Sequence, residues 1–287
     1  MSKLKLIIFS DLDGTLLDHF DYQFEPARKT LVKLYTQRIP VILNTSKTRV
    51  ETESIRQALC LTTPFIVENG AAVFIPKKTF SQQPLDTVDY GEYWRKSFCQ
   101  PIQVGLAKIK QELSHFKDDY IGFSDLSPQA LSSLTGLSEA QAKQAKQREF
   151  AEPIKWLGSE RSRLTFIDAL SALSISVTQG GRFMHISGKS DKGTAMSWLL
   201  SQYIKNFPEH TISSVALGDG ENDNAMLEAA DIAVQIRSPV HDFPELKHQK
   251  NYMQTTSYGP HGWAEAINHI LINNISYPSR TREAYYG

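Results

Sequence analysis

The sequence predicts an α/β fold, a parallel sheet flanked by helices, with an α+β module inserted into it. Short apolar, β-branched runs that end in polar residues recur at 4–9, 41–43, 65–67, 215–217 and 232–234. Runs this short, bounded by turn residues, read as strands buried on both faces. Helical patterns lie between them: residues 26–37 set Ala27, Leu31 and Leu34 on one face, and 222–230 are also helical. Strand, helix, strand in this rhythm means a parallel sheet with helices on its faces.

The middle of the chain has a different texture. Between about residues 84 and 187 the pattern predicts helices near 104–116, 138–147 and 163–173, alternating with strand-like pieces at 120–123, 154–157 and 183–186. The chain thus divides into a discontinuous sheet domain, 1–83 with 188–287, and an inserted module, 84–187. The polar, tyrosine-bearing end from 273 onward is expected to be loosely ordered.

At 287 residues, two domains are the expected organisation, since single cores stop growing near roughly 250 to 300 residues. Lysine plus arginine (31) balances aspartate plus glutamate (31), so no global field draws the chain to nucleic acid or an anionic membrane. A small molecule is the expected partner. Cys60 and Cys99 are the only cysteines and form no CxxC pair, which suits a reducing, cytoplasmic setting. No apolar run approaches the ~20 residues of a membrane helix, and the sequon at Asn274 is then chance.

Four polar clusters each end a strand or open a helix. They are Asp11-Leu12-Asp13-Gly14-Thr15, Asn44-Thr45-Ser46-Lys47-Thr48, Lys192 at the head of a helix over 192–200, and Gly218-Asp219-Gly220-Glu221-Asn222-Asp223. Two aspartates as close as Asp11 and Asp13 need a positive charge beside them to stay ionised, and a metal cation with a phosphate substrate supplies one. Open α/β sheets place reactive groups where strands end. Together the four clusters hold what phosphoryl transfer requires: carboxylates, hydroxyls and a fixed cation. Lys192 at a helix start opposes the helix dipole by several tenths of a kcal/mol, a misfit that suggests a task. Asp219 and Asp223, four apart after a glycine turn, face one cavity. A calcium loop counted from Asp219 fails, because its sixth and twelfth positions are Asn224 and Ala230. HExxH, GxSxG and the Walker pattern are absent from the sequence.

In order and spacing the four clusters resemble the haloacid dehalogenase superfamily of phosphatases. The insertion between the second and third clusters, and Glu68-Asn69-Gly70 after the strand at 65–67, are similar to its Cof-like group. A narrower resemblance, to mannosyl-3-phosphoglycerate phosphatases, rests on five segments. These are Ser46-Lys47-Thr48-Arg49, Leu134-Thr135-Gly136-Leu137-Ser138, Gln147-Arg148-Glu149-Phe150-Ala151-Glu152-Pro153, Gly180-Gly181-Arg182-Phe183-Met184-His185 and Gly259-Pro260-His261-Gly262-Trp263.

The resemblance implies a Rossmann-like core with an inserted α+β cap, and hydrolysis of 2-O-mannosyl-3-phosphoglycerate with Mg²⁺. It implies Asp11 as nucleophile and Asp13 as general acid and base, with Thr45 and Lys192 on the phosphoryl oxygens. Asp11, Asp13, Asp219 and Asp223 are the implied metal ligands, Asp13 through its main-chain carbonyl. Ser46, Lys47, Glu68, Asn69, Arg148 and Arg182 are candidates for substrate contact. The two arginines suit a carboxylate, although a salt bridge such as Arg148 with Glu152 competes. His185 and Trp263 read as core residues. A phosphatase of another sugar phosphate, glucosyl-3-phosphoglycerate or a hexose phosphate, stays open, as do a phosphomutase and a non-catalytic binding module on the same fold.

Overall fold

The computed structural model describes residues 3–180, 182–247 and 251–273. The tail and the Asn274 sequon read from the sequence lie outside these residues, as does Gly181. Two compact units divide the chain. The first holds Met1–Thr45, Leu61–Lys96 and Asp191–Gly287, and the second holds Ser46–Cys60 and Ser97–Ser190. The second unit therefore begins at Ser97 where the sequence suggested about residue 84, and it also takes in Ser46–Cys60.

In chain order the strands and helices are β1 (Lys3–Ser10), α1 (Arg28–Thr36), β2 (Val41–Asn44), α2 (Arg49–Ala58), β3 (Phe65–Val67), β4 (Ala72–Pro76), β5 (Val88–Tyr90) and β6 (Tyr93–Ser97). Then come α3 (Ile102–Glu112), β7 (Tyr120–Gly122), α4 (Pro128–Thr135), α5 (Glu139–Ala145), β8 (Ala151–Trp156), α6 (Glu160–Ala172), β9 (Ser176–Gly180) and β10 (Phe183–Ser187). The chain continues with α7 (Lys192–Asn206), β11 (His210–Gly218), α8 (Asn224–Ala229), β12 (Ile232–Arg237), β13 (Tyr252–Tyr258) and α9 (Gly259–Ile272).

The first unit is built on a nine-stranded sheet in the order β13-β12-β11-β1-β2-β3-β4-β6-β5. From β13 to β3 the pairings are parallel, and β4 turns antiparallel to β3. Burial on both faces explains the unbroken apolar runs: Ile7, Ile8 and Phe9 of β1 are at most 1 % exposed. The sheet outruns the sequence reading at both edges. The β5–β6 hairpin joins it, although the sequence places 84–97 in the insertion, because its exposed and half-buried residues carry no buried-strand pattern. β13 was missed for the same reason, with mostly exposed and intermediate positions.

The second unit pairs α2–α6 with an antiparallel sheet, β7-β8-β10-β9. Alternation on β10 serves two clusters. Met184 and Ile186 pack with Ile109, Ile154, Phe166 and Leu170, while Phe183 joins Phe123, Leu131 and Ala142. Local signals set the helix starts: Thr48 with Glu51 and Ser138 with Gln141 form capping boxes, and Ser127 and Ser159 cap α4 and α6. In the first unit Asp191 caps α7, which runs to Asn206, past the residue 200 read from the sequence.

One turn locks the first unit beside its sheet edge. Glu68, Asn69 and Gly70 all adopt positive φ (48°, 56° and 86°), reversing the chain from β3 into β4. A Cβ at Gly70 would lie 2.0 Å from the Asp191 carbonyl oxygen, so only glycine lets the turn reach the head of α7. Gly136, at φ 85°, has open space around its missing Cβ. Gly70→Ala is therefore expected to cost at least about 2 kcal/mol and Gly136→Ala only about 1 kcal/mol. Urea midpoints of the two variants check this; equal losses would show that backbone conformation alone, not the contact with Asp191, sets the cost.

Candidate active site

Sheet topology brings Asp11 to Thr15, Asn44 with Thr45, Lys192 and the turn from Gly218 to Asp223 to one edge of the first unit. β1 ends at Ser10, and Asp11 continues its ladder by donating its N–H to the Leu217 carbonyl of β11 at 2.9 Å. Residues 12–17 then fold into a tight turn in which the Leu12 carbonyl accepts from Thr15 and Leu17. Thr45, just past β2, is fully buried; its N–H donates to Ile66, and its carbonyl accepts from Asn69 at 3.0 Å. Asn222 Nδ2 donates to Asn69 Oδ1 at 3.2 Å, which joins the β3–β4 turn to the fourth cluster.

At the centre lies the Lys192 ammonium, with its side chain 0 % exposed, 2.6 Å from Asp11 Oδ1 and 2.6 Å from Asp223 Oδ1. The chain reaches this point because α7 starts there, and Asn44 Nδ2 holds the Lys192 carbonyl at 3.0 Å. Asp223 Oδ2 accepts the N–H groups of Asp219 and Gly220, so both of its oxygens carry hydrogen bonds. Asp219 is less occupied: Thr15 Oγ1 donates to Oδ1 at 3.1 Å, and His241 Nε2 stands 3.6 Å from Oδ2.

Oxygens of Asp11, Asp219 and Asp223 lie within 4.8 Å of one another, and all three residues are buried. Three carboxylates against one ammonium leave a surplus of two negative charges in a space that solvates them poorly. The titration behaviour follows. Burial raises the Asp11 carboxyl well above its ordinary value, Lys192 opposes that, and Asp223, Asp219 and Asp13 add to it. Burial and Asp223 push Asp219 up to about 6. Burial alone would lower the Lys192 ammonium, but Asp11 and Asp223 more than reverse this, so it is held charged. A divalent cation fits this donor set, which is oxygen-only and two charges short of neutral.

The remaining predicted residues have separate places. Asp13 is half-buried in the turn after β1, bridged through its backbone to Leu17. Glu68 is buried and Asn69 half-buried in the β3–β4 turn. Ser46, Lys47, Arg148 and Arg182 belong to the second unit. There Arg148 donates to the Ser46 carbonyl at 3.1 Å, not to Glu152, whose Oε1 is taken by the Ser124 N–H and hydroxyl. Arg182 is exposed and donates to the Thr135 carbonyl at the end of α4. Trp263 is fully buried, as expected, and supports the strand that ends at Asp11: its Nε1 donates to Ser10 Oγ, which donates to the Asp11 carbonyl. Three neighbours of the charged cluster went unassigned from the sequence. Thr15 and Asn44 lay inside the quoted motifs, whereas His241 sits in a loop with no motif at all.

Residues 8–245 match the haloacid dehalogenase-like hydrolase family. The chain belongs to that family. It is 37 % identical over 281 residues to a protein of Methanococcoides burtonii named glucosyl-3-phosphoglycerate/mannosyl-3-phosphoglycerate phosphatase, covering 94 % of this chain and 99 % of that one. A protein of the same name from Persephonella marina is 34 % identical over 274 residues, covering 93 % and 97 %. Among solved structures, a haloacid dehalogenase-like hydrolase from Bacteroides thetaiotaomicron shares the fold with a TM-score of 0.62 at 19 % identity, over 93 % of this chain and 100 % of that one. No described helix is long and apolar enough to cross a membrane.

The charge surplus sets a pH dependence. With folded-state values raised above the unfolded ones, Asp11 and Asp219 favour the fold at low pH and lose that contribution as pH rises, Asp219 over the window from about 4 through about 6. A cation must displace protons to bind below that window but meets open carboxylates above it. Mg²⁺ at a hundred times its dissociation constant is expected to stabilise the protein by about 2.7 kcal/mol at pH 7.5, and by clearly less at pH 5 and the same concentration. Melting temperatures with and without Mg²⁺ at each pH check this, since the paired difference cancels groups remote from the cluster; no shift at pH 7.5 would exclude a cation site here.

Proposed function

We propose that the chain is a Mg²⁺-dependent phosphomonoesterase acting on a glycosyl-3-phosphoglycerate. The convergence of Asp11, Lys192, Asp219 and Asp223 on one buried point of the first unit carries this reading. In it, a carboxylate oxygen of Asp11 attacks phosphorus and the bond to the leaving oxygen breaks. Asp13, as the carboxylic acid, gives its proton to that oxygen. Asp13, now ionised, takes a proton from water, the water oxygen attacks the aspartyl phosphate, and the Asp11 carboxylate and inorganic phosphate are released. Lys192 and the Thr45 hydroxyl hold phosphoryl oxygens as charge moves onto them. Asp11, Asp219 and Asp223, with the Asp13 carbonyl, would hold Mg²⁺, which supplies charge neutralisation for the phosphoryl group and the nucleophile.

The substrate half of the proposal rests on the names of the two relatives and on the polar residues of the second unit. The second unit serves as the specificity module, with Ser46, Lys47, Arg148 and Arg182 as its contacts and Glu68 and Asn69 contributed by the first. Relatives named for both glucosyl and mannosyl substrates favour a site that accepts either sugar. The proposed setting is cytoplasmic, in keeping with two cysteines that no disulfide joins.

Asp11→Asn is expected to lower phosphate release at least about a thousandfold while the melting temperature holds. Metal-dependent turnover near wild type in the purified variant would sink the mechanism. For specificity, kcat/KM on mannosyl- and glucosyl-3-phosphoglycerate is expected to exceed that on hexose phosphates by at least about tenfold. Equal values across such a panel would remove the glycosyl-phosphoglycerate assignment and leave a general sugar phosphatase.

A further inference from the structure

A cavity opens beside the charged cluster, within the first unit alone. Residues 237–243 and Tyr258 line about 610 Å³, inside the roughly 300–1,000 Å³ range of small-molecule sites. It lies where β12 ends, and β12 pairs in parallel with β11, whose end leads to Asp219. The parallel strands β1, β2, β3, β11 and β13 end at Ser10, Asn44, Val67, Gly218 and Tyr258, whereas β12 ends in a cation, Arg237.

The sheet is bent to hold that cation. Gln235 faces Gln254 and Arg237 faces Tyr258, so the step from Gln235 to Arg237 on β12 is matched by a longer one on β13, a bulge that re-aims the side chains. The Arg237 N–H donates to Thr255 Oγ1 at 3.0 Å, and Glu265 accepts from the Thr256 and Ser257 N–H groups, which fixes the bulge. The guanidinium stands 5.4 Å from the centre of the Tyr258 ring, a contact that orients the fork without using its N–H donors. Among the described residues Arg237 makes no ion pair and no side-chain hydrogen bond; Asp242, on the cavity wall, pairs with neither Arg237 nor His241 through its carboxylate.

His241 joins the cavity to the cluster. Its Nδ1 donates to the Asp242 carbonyl at 2.9 Å, and its Nε2 stands 3.6 Å from Asp219 Oδ2. Oxygens of Asp219 and Asp11 lie within 4.8 Å of each other, so the cavity begins two contacts from Asp11. In an extended 3-phosphoglycerate the carboxylate carbon stands on the order of 5 Å from phosphorus, a comparable reach. Charge requires a partner at that point. A divalent ion with Lys192 only balances the three aspartates, so a carboxylate arriving beside Asp219 finds no spare cation in the cluster and would be left uncompensated. A guanidinium fork with open donors matches a planar carboxylate.

We infer that this cavity takes the glycerate end of the substrate, with the Arg237 fork on its carboxylate. The inference rests on the glycosyl-3-phosphoglycerate reading and names the residue that reads one group of that substrate. Arg237 stands outside every motif quoted from the sequence, at the end of an otherwise buried strand.

Two measurements test it. Titrating the protein in Mg²⁺ with D-glycerate at constant ionic strength, run to about 0.1 M because a three-carbon acid binds weakly, is expected to shift the Tyr258 ring resonances, assigned by their loss in Tyr258→Leu. Glycerol is expected to leave them in place, and the glycerate shift is expected to vanish in Arg237→Met. No shift with glycerate, an equal shift with glycerol, or a shift that survives in Arg237→Met overturns the subsite whatever reaction the protein catalyses. In kinetics, Arg237→Met is expected to lower kcat/KM on mannosyl-3-phosphoglycerate at least about tenfold, chiefly through KM, and on p-nitrophenyl phosphate, which has no carboxylate, by at most about threefold. Arg237 is exposed, so the substitution spares the core. Equal losses on the two substrates, or a loss carried by kcat with KM unmoved, overturn the proposal. Failure of wild-type protein to hydrolyse either compound counts against the phosphatase reading instead, and the glycerate titration still decides the subsite.

Discussion

The arrangement depends on one buried ammonium set between two carboxylates. Lys192 meets Asp11 and Asp223 at 2.6 Å each, and these three side chains come from the head of a helix, the end of a strand and the turn that leads into α8. Desolvating three charges costs several kcal/mol apiece, and a lone partner left behind would cost as much again, so the lysine cannot be removed without penalty. Its place at the start of α7, against the helix dipole, becomes intelligible: two anions outweigh a few tenths of a kcal/mol.

Much of the surrounding structure serves to hold that contact. β1 and β11 run parallel in register, so their ends deliver Asp11 and the Asp219 turn side by side. Asn44 ties the end of β2 to the first residue of α7, and the left-handed turn at Glu68, Asn69 and Gly70 closes against Asp191, the cap of that helix. Trp263, far along the chain, reaches back through Ser10 to the Asp11 carbonyl. A rigid edge of this kind fixes where charge is held before any ligand arrives, which is the condition for electrostatic stabilisation of a phosphoryl group. Even so, the cluster is not neutral by itself, and the raised values of Asp11 and Asp219 are the physical sign of a missing positive charge.

The central strands and the charged motifs were legible because each obeys a local rule. Buried parallel strands leave apolar runs, and the residues that end them are polar because they stand at an open edge. Elements without such a signature were lost. The β5–β6 hairpin and β13 are mostly exposed or half-buried, and α9 starts at Gly259 and Pro260, residues that are poor helix formers. Assigning Ser46–Cys60 to the sheet domain was the natural linear reading, yet α2 packs with α5, where Gln144 meets Thr48 and Ser54.

From sequence alone came the fold class, the four clusters, and the chemistry that carboxylates, a hydroxyl and a lysine make possible, since all of these follow from residue type and spacing along a few turns of chain. Tertiary structure decided how that capacity is spent. Lys192 and Asp11 are 181 positions apart, and no local pattern states that their side chains share a proton-bearing contact. The same holds for the arginines: Arg148 and Arg182 look equivalent as guanidinium forks, but packing gives one a helix end to cap and leaves the other with donors to spare. Periodicity governs which face a residue occupies; only the assembled sheet and its packed helices determine what that face meets.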